Sequence, residues 1–317
     1  MHFEELLETI QRFDIITLYR HEHPDCDAVG SQFGLKEWLK LNFPEKEVYA
    51  LGKETCSQGN FPDNDVIEGE KVRKSLAIVL DSANQERVDD QRFTQAEMIV
   101  KIDHHPNYDP FGAKKYVFEE AAAVCEILSE FFQQTGLQMN RTIAEYLYKG
   151  LLTDTLCFRT SNTRPHTLEM ASYLSSFGIS IPEINRELFD LSLSDFRFGS
   201  HIRESAEIFN DTIACVILNQ EDLQKWHKTP GNARNFIDEL GHVKEFQIWA
   251  IFTENKEHLY DGSLRSKKVT INDIAQKYHG GGHKNASGVK NMTRQDIDAI
   301  LTDFQNRLKG AVTNKAI

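Results

Sequence analysis

The sequence predicts an α/β fold, in which a larger domain with a parallel sheet covered by helices on both faces precedes a smaller α/β domain. Three observations support this prediction. Short apolar runs alternate with helix-like stretches over the first half of the chain. A second group of strand-like runs begins after a polar, mixed segment at residues 191–204. The length of 317 residues allows two domains that each bury their own core.

The first domain opens with an amphipathic helix, because apolar side chains recur at helical spacing from Phe3 to Phe13. Another helix is predicted over residues 29–41. Four apolar runs have the length of buried strands, and they cover residues 15–19, 47–51, 76–80 and 98–102. Strands that alternate with helices in this way indicate a parallel sheet.

Ligands of such open sheets bind beyond the carboxyl ends of the strands. His21, Asp81 and Asp103 are each expected just past the last residue of a strand. These three side chains are therefore candidates for one ligand site.

The second domain should contain strands over residues 212–218, 246–252 and 259–264, and it should close with a helix near residues 297–308. The boundary is expected between residues 190 and 205. We assign residues 1–195 to the first domain and residues 196–317 to a linker and the second domain.

Composition excludes several classes of protein. The five cysteines are scattered and form no C-x-x-C pair, which argues against a disulfide framework and a thiolate zinc site. The chain has neither a signal-like start nor an apolar run of about eighteen residues, so we expect a cytoplasmic protein without a membrane partner. The net charge of −12 argues against a broad basic surface for long nucleic acids. An anionic substrate would need a local positive site, which bound divalent metals supply.

A group of metal-capable side chains lies near the start of the chain, within the segment from His21 to Asp27. Asp25 and Asp27 are two residues apart, so in an extended segment their carboxylates would point to the same side. The two carboxylates would repel each other there unless a cation lay between them. A divalent metal site requires this kind of crowding.

Three further groups are candidates for the same site, namely Asp81, the Asp103-His104-His105 triplet and Asp154. Each alone is explained equally well as a helix cap, since Asp commonly caps helices. If they share one cleft with the first group, like carboxylates at contact distance cannot all stay ionised without compensation. Two divalent cations would balance that charge, and the mixed oxygen and nitrogen set suits Mn²⁺ better than structural zinc.

Four segments resemble, in order and spacing, the four motifs of the DHH phosphoesterase superfamily. They are H-E-H-P-D-C-D-A-V-G-S at 21–31, D-S-A-N at 81–84, D-H-H at 103–105 and T-D-T at 153–155. The G-G-G-H at 280–283, followed by N-A-S-G at 285–288, is similar to the signature of the first type of DHH-associated domain. By its length and its lack of transmembrane or sensor segments, the chain looks most like the bifunctional oligoribonuclease and pAp phosphatase group. RecJ exonucleases are similar but usually larger.

The resemblance implies a set of metal ligands. His21, Asp25 and Asp81 would hold one ion, while Asp27, Asp81, His104 and Asp154 would hold the other, so that Asp81 bridges the pair. It also implies catalytic roles for two further residues. His105 would lie next to the scissile phosphate, and Asp103 would orient a histidine.

Substrate binding is expected in the second domain. Glycines let backbone N–H groups approach an anion closely, although without His283 the three glycines would predict only a turn. Arg265 offers a planar fork for a phosphate, and the resemblance implies that Arg265 and His283 face the metals across a cleft between the domains. The full set of expected substrate-binding residues is Arg265, Ser266, Gly281, Gly282, His283, Asn285 and Ser287.

The resemblance implies a phosphohydrolase with two divalent ions, most often Mn²⁺, with Mg²⁺ or Co²⁺ as alternatives. Its substrates would be short single-stranded oligonucleotides, including pApA, and nucleotide bisphosphates such as pAp. The oligomeric state is left open, with a homodimer as one alternative. Three other functions stay open, namely a RecJ-like exonuclease, an inorganic pyrophosphatase or polyphosphatase, and a non-catalytic nucleotide-binding module. The G-G-G-H motif argues against the pyrophosphatases, which carry a different second domain.

Overall fold

The computed structural model describes residues 3–313, and the chain divides into two compact units, Met1–Asp190 and Leu191–Ile317. The predicted boundary after residue 195 lies slightly further along, inside a helix of the second unit. The first two and last four residues of the predicted domains lie outside the described residues.

The first unit contains a five-stranded sheet in the order β2-β1-β3-β4-β5, with every neighbouring pair parallel. The strands are β1 (Ile15–Tyr19), β2 (Glu47–Ala50), β3 (Leu76–Leu80), β4 (Met98–Asp103) and β5 (Lys114–Val117). The helices are α1 (Glu4–Arg12), α2 (Cys26–Asn42), α3 (Gly69–Arg73), α4 (Val124–Thr135), α5 (Arg141–Asp154), α6 (Pro165–Ser175) and α7 (Ile181–Phe189). The predicted parallel sheet is confirmed.

The two faces of this sheet are covered differently. Ile78 and Leu80 of β3 join a large core with helices α1, α2, α4 and α5, whereas Ala77 and Val79 point into a smaller cluster on the opposite face. The smaller cluster is completed by α3 and by the segment around Phe93, which forms a 3₁₀-helix over Gln91–Gln95. Alternate residues of a strand face opposite sides, so β3 needs apolar side chains at every position.

The second unit contains a six-stranded mixed sheet in the order β10-β11-β9-β8-β7-β6. Only β7 and β8 are parallel among its described neighbouring pairs. The strands are β6 (Glu207–Phe209), β7 (Ile213–Leu218), β8 (Ile248–Glu254), β9 (Tyr260–Ser266), β10 (Gly281–His283) and β11 (Ala286–Met292). The helices are α8 (Leu193–Glu204), α9 (Gln220–Lys225), α10 (Pro230–Arg234), α11 (Asp238–Gly241), α12 (Asn272–Lys277) and α13 (Arg294–Thr313).

The predicted strands agree with β1 to β4 and β7 to β9 to within about two residues at most ends. Strands β5, β6, β10 and β11 were not predicted, because each is short, polar or rich in glycine. One prediction at the site is corrected, since Asp103 is the last residue of β4 and does not follow it. Over residues 3–313, none of the helices is long and apolar enough to cross a membrane.

Candidate metal centre

The sheet order brings together the site residues that follow strands β1, β3 and β4. Strands β1, β3 and β4 are neighbours and run in the same direction, so their carboxyl ends lie at one edge. His21 follows β1, Asp81 follows β3, and His104 and His105 follow Asp103 at the end of β4. Side chains from these three separate segments therefore meet.

Asp25 immediately precedes α2 and Asp27 lies in its first turn, which corrects the prediction that both lie in an extended segment. Asp25 is the N-cap, and its Oδ1 accepts hydrogen bonds of 3.0 Å from the amides of Asp27 and Ala28. Its side chain stays half exposed, at 55%. The carboxylate therefore begins the helix and is also open to a ligand at its other oxygen.

Asp27 is fully buried and joins two helices. Its Oδ2 accepts from the amide of Val124 at 2.7 Å, and its Oδ1 accepts from the amide of Cys125 at 2.9 Å. These amides open α4, whose own N-cap residue is Ala123 and has no side-chain acceptor. A carboxylate from a distant segment thus satisfies the free amides at the start of this helix.

Asp154 ends α5, which packs closely against α2 and α4. A Cβ atom on Gly150 would lie 2.4 Å from Cys125 Sγ and 2.9 Å from the backbone of both Asp27 and Cys26. Only glycine allows this approach. The close packing places the end of α5, and with it Asp154, beside the buried carboxylate of Asp27.

The six predicted ligands form two groups. In the first, ligand atoms of His21, Asp25 and Asp81 all lie within 4.8 Å of one another. His21 Nε2 is 3.4 Å from Asp81 Oδ2 and 3.8 Å from Asp25 Oδ2. These distances are short enough for the three side chains to share one ion.

In the second group, ligand atoms of Asp27, His104 and Asp154 lie within the same 4.8 Å limit. His104 Nε2 is 3.5 Å from Asp154 Oδ2 and 3.4 Å from Asp81 Oδ1. Asp81 therefore contacts a histidine of each group, one through each of its two oxygens.

Asp81 has an unusual backbone conformation and a buried side chain. Its backbone has a φ of 52°, in the left-handed region that Asp and Asn tolerate better than most residues. Its side chain is almost fully buried, and Oδ1 has no hydrogen-bond partner among the described residues. The nitrogens nearest to it, His104 Nε2 at 3.4 Å and His105 Nδ1 at 3.5 Å, make no well-aligned hydrogen bond, so this buried oxygen suits a cation.

Burial and neighbouring charges shift the pKa values of the residues in this centre. Burial lowers the pKa of both histidines, but the carboxylates beside them outweigh it and raise the pKa of His21 and of His104 to about 10. Burial and the charge of Asp81 raise the pKa of Asp27 to about 7. Burial and the charges of Asp27 and Asp81 raise the pKa of Asp154 to about 9. Burial would also raise the pKa of Asp81, but the two histidines hold it well below its ordinary value.

These shifts have two physical causes, which are the burial of the centre and the closeness of its carboxylates to one another and to the histidines. Protons on the histidines and on some of the carboxylates are one source of compensation. Divalent cations are another, and they would bind with the histidines neutral and the carboxylates ionised. The donor set of four carboxylates and two imidazoles therefore fits a pair of divalent ions.

His105 is oriented by Asp103. Its Nδ1 donates to Asp103 Oδ1 at 2.9 Å, and the same oxygen accepts the amides of His104 and His105 at 2.9 and 3.2 Å. Burial raises the pKa of Asp103, but His105 and Lys101 outweigh this, so the pKa stays below its ordinary value. His105 Nδ1 also lies 3.5 Å from Asp81 Oδ1, which places this ring at the edge of the centre.

The predicted substrate-binding residues of the second unit lie around a hairpin of β10 and β11, next to β9. The register pairs Arg265 and His283 with the same residue, Ala286, from its two sides. Arg265 is half buried, and His283 is exposed. The two cationic or polar side chains that could bind an anion therefore come from β9 and β10, the strands on either side of β11.

Three other predicted residues of this region make hydrogen bonds within it. Asn285 Nδ2 donates to Ser266 Oγ at 2.8 Å, and Ser287 Oγ donates to the carbonyl of His283 at 3.0 Å. Gly281 is exposed, and a Cβ on Gly282, whose φ is 131°, would lie 2.5 Å from the Ala286 carbonyl. The polar side chains hold the hairpin in shape, and Gly282 allows β10 and β11 to approach each other closely.

The prediction from sequence missed Lys101, which is fully buried on β4 and ion-paired with Asp103 at 3.1 Å. The signal for it was a lysine inside an apolar strand, two residues before an aspartate and on the same face. It also missed the contact of Asp27 with α4. The signal for this contact was Ala123, because an alanine at the N-cap cannot accept a hydrogen bond from the first amides of the helix.

Comparison with known proteins identifies the family. Residues 15–151 match the N-terminal domain of the DHH family, and residues 210–310 match the DHHA1 domain. The bifunctional oligoribonuclease and PAP phosphatase NrnA of Bacillus subtilis is 35% identical, over 96% of this chain and 98% of that protein. A probable bifunctional oligoribonuclease and PAP phosphatase NrnA of Streptococcus mutans is 34% identical, over 97% and 99%.

A solved structure supports the fold. The crystal structure of an exopolyphosphatase-related protein from Bacteroides fragilis superposes with a TM-score of 0.86, covering 98% of this chain and 97% of that one at 23% identity. The motif residues, the two units and these relatives agree, and this chain belongs to the DHH family of phosphoesterases.

Proposed function

We propose that this chain is a divalent-metal-dependent phosphohydrolase that cleaves short oligoribonucleotides to mononucleotides and removes the 3′-phosphate of pAp. The observation that carries the proposal is the meeting of His21, His104 and four carboxylates at the edge of the sheet in the first unit. Relatives at 34–35% identity over nearly the whole chain are named for both activities.

In this proposal the first ion is held by His21, Asp25 and Asp81, and the second by Asp27, Asp81, His104 and Asp154. The contacts of Asp81 with a histidine of each group support its role as the bridge. When bound, the pair of ions would generate hydroxide and stabilise charge on the phosphoryl oxygens. Mn²⁺ is the proposed metal, because the donors are mixed oxygen and nitrogen and more numerous than tetrahedral zinc requires.

The protein's own groups around the reaction have distinct roles. With Nδ1 donating to Asp103, His105 keeps its Nε2 free for the scissile phosphate or the leaving oxygen. Asp103 holds the ring and its tautomer. His105 and Asp103 are therefore the proposed catalytic pair beside the metal ligands.

Substrate binding is proposed for the second unit. Arg265 and His283 would bind the non-scissile end of the substrate, with the backbone of Gly281 and Gly282 approaching an anion. Ser266, Asn285 and Ser287 would keep that hairpin in shape. Such a binding site suits a substrate that carries a phosphate at a fixed distance from a nucleoside. pAp, pApA and other dinucleotides all have this arrangement. The acidic chain favours short substrates over long polymers.

One experiment tests this function. The purified protein is incubated with Mn²⁺ and pAp, pApA, short RNA, short DNA, a long RNA, pyrophosphate or polyphosphate, and the products are separated. We expect release of AMP from pAp and of mononucleotides from the short RNA, with little action on the long RNA. Hydrolysis of pyrophosphate or polyphosphate alone, or nucleotide binding without release of product, would overturn the proposal. A cytoplasmic location and a homodimer are further predictions.

A further inference from the structure

Lys101 is a fully buried lysine near the centre that the proposed mechanism does not use. Lysine is almost never fully buried unless its charge is paired. Its Nζ lies 3.1 Å from Asp103 Oδ2 and 4.8 Å from the centre of the Phe111 ring. Both Lys101 and Asp103 have no exposed side-chain surface, so this ion pair is shielded from water.

The two oxygens of Asp103 face different partners. Oδ1 accepts from the amides of His104 and His105 and from His105 Nδ1, whereas Oδ2 faces Lys101. Without the lysine, Asp103 would be a buried carboxylate with no countercharge on its second oxygen. Such a carboxylate would turn towards other donors, and this would alter its hydrogen bond to His105.

Lys101 also contacts the loop that follows β3. Its Nζ donates to the carbonyl of Ala83 at 3.2 Å, and Ala83 lies two residues after Asp81. One buried ammonium group thus joins the segment that carries Asp81 to the end of the strand that carries His104 and His105. This contact adds to the hydrogen bond of 3.1 Å from the amide of Asp81 to the carbonyl of Ile102 in β4.

We propose that Lys101 is a positioning residue for the phosphohydrolase reaction, acting through Asp103 to fix the orientation and tautomer of His105, and through Ala83 to fix the loop of Asp81. This inference rests on the function proposed above. A purely structural role would lower stability in proportion to the buried ion pair that is lost. A positioning role changes the rate constant in protein that is still folded.

The test compares Lys101→Met and Lys101→Arg with wild type on pAp in Mn²⁺, using only protein that thermal melting shows to be folded. We expect kcat of Lys101→Met to fall by on the order of 10–100-fold, with KM changed by less than about twofold, because loss of a partner that orients a catalytic group has this size of effect. Lys101→Arg should recover part of the rate, because it restores the charge but not the compact shape of the ammonium group.

The matched control is Lys36→Met. Lys36 is also buried and pairs with a carboxylate, Asp65, at 2.6 Å, but it belongs to neither proposed site. This variant should lose stability and keep kcat. The double variant Lys101→Met/Asp103→Asn should be slower than Asp103→Asn alone by much less than the factor of Lys101→Met, because only the contact with Ala83 is left for the second change to remove.

A second readout does not depend on activity or metal. Long-range ¹H–¹⁵N spectra of the metal-free protein report the tautomer of His105, which should carry its proton on Nδ1 in wild type and lose that preference in Lys101→Met. Unchanged kcat and an unchanged tautomer in folded Lys101→Met would overturn the inference, as would independent, multiplying effects of the Lys101 and Asp103 changes. If wild type hydrolyses none of the substrates, the proposed function fails, and the tautomer comparison still decides the role of Lys101.

Discussion

Replacing Asp81 tests the whole arrangement of the proposed metal centre. We compare Asp81→Asn, which removes the charge and keeps the shape, with Asp81→Ala, which removes the side chain. Asp81 contacts His21 and His104 at 3.4 Å each and is the proposed ligand of both ions. Either change should therefore weaken metal binding at two positions at once.

The expected size follows from that geometry. Loss of a group that merely orients a metal ligand costs 10–100-fold in metal affinity or activity, and a direct ligand costs at least as much. Two positions together give a loss of roughly 10²–10⁴ in kcat/KM, or about 3–5 kcal/mol. The Ala variant should lose about 1 kcal/mol more stability than the Asn variant, because only Asn tolerates the left-handed φ of 52°.

The assay is hydrolysis of pAp as a function of Mn²⁺ concentration, with thermal unfolding measured in parallel. Asp211 is the matched control, since it has a φ of 55° but lies in an exposed turn of the second unit. Asp211→Ala should show the same loss of stability relative to Asp211→Asn, with unchanged hydrolysis. If Asp81→Asn keeps a tenth or more of the activity with the same dependence on Mn²⁺, then Asp81 is not the bridge.

Three further predictions concern charge, substrate and packing. The pKa of His21 and of His104 rises from 6.5 unfolded to about 10 folded, so their stabilisation is complete below pH 6.5 and is lost as the pH rises towards 10. Asp27 and Asp154, whose pKa values are raised by folding, also lose stabilisation as the pH rises. Tm of the metal-free protein should therefore fall between pH 5 and 9, and it should fall less when Mn²⁺ is present. A flat or rising Tm would contradict this. Arg265→Ala should raise KM for pAp about 10–100-fold, the value of one charged hydrogen bond, whereas a lower kcat at unchanged KM would refute a binding role. Gly150→Ala should lower the free energy of unfolding, measured by chemical denaturation, by about 1–3 kcal/mol. Gly310→Ala is the control, because its new Cβ meets open space. Equal effects of the two changes would refute the packing argument.

Periodicity predicted much of the fold for a physical reason. Strands such as β3 are buried on both faces, and such strands read as continuous apolar runs. The same rule could not find β5, whose sequence K-K-Y-V belongs to an edge strand, or β10, which is G-G-H. Pairing with a neighbour makes these segments strands, and pairing has no signal within the segment itself.

The candidate centre was predictable in its members and only partly in its geometry. The motifs identify Asp25 and Asp27, but the helical start of α2, in which one caps the helix and the other reaches α4, depends on tertiary packing. The reasoning from an extended segment failed there for that reason. Lys101 was overlooked because a charge inside an apolar strand only makes sense once its partner Asp103 is known to be buried.

The spread of the proposed ligands along the chain has a consequence for biosynthesis. The first of them is His21, and the last is Asp154, the final residue of α5. A nascent polypeptide cannot offer a finished site to an ion until this helix has left the ribosome, and the second unit is made only afterwards. Folding of the proposed metal centre can therefore precede the synthesis of Arg265 and His283.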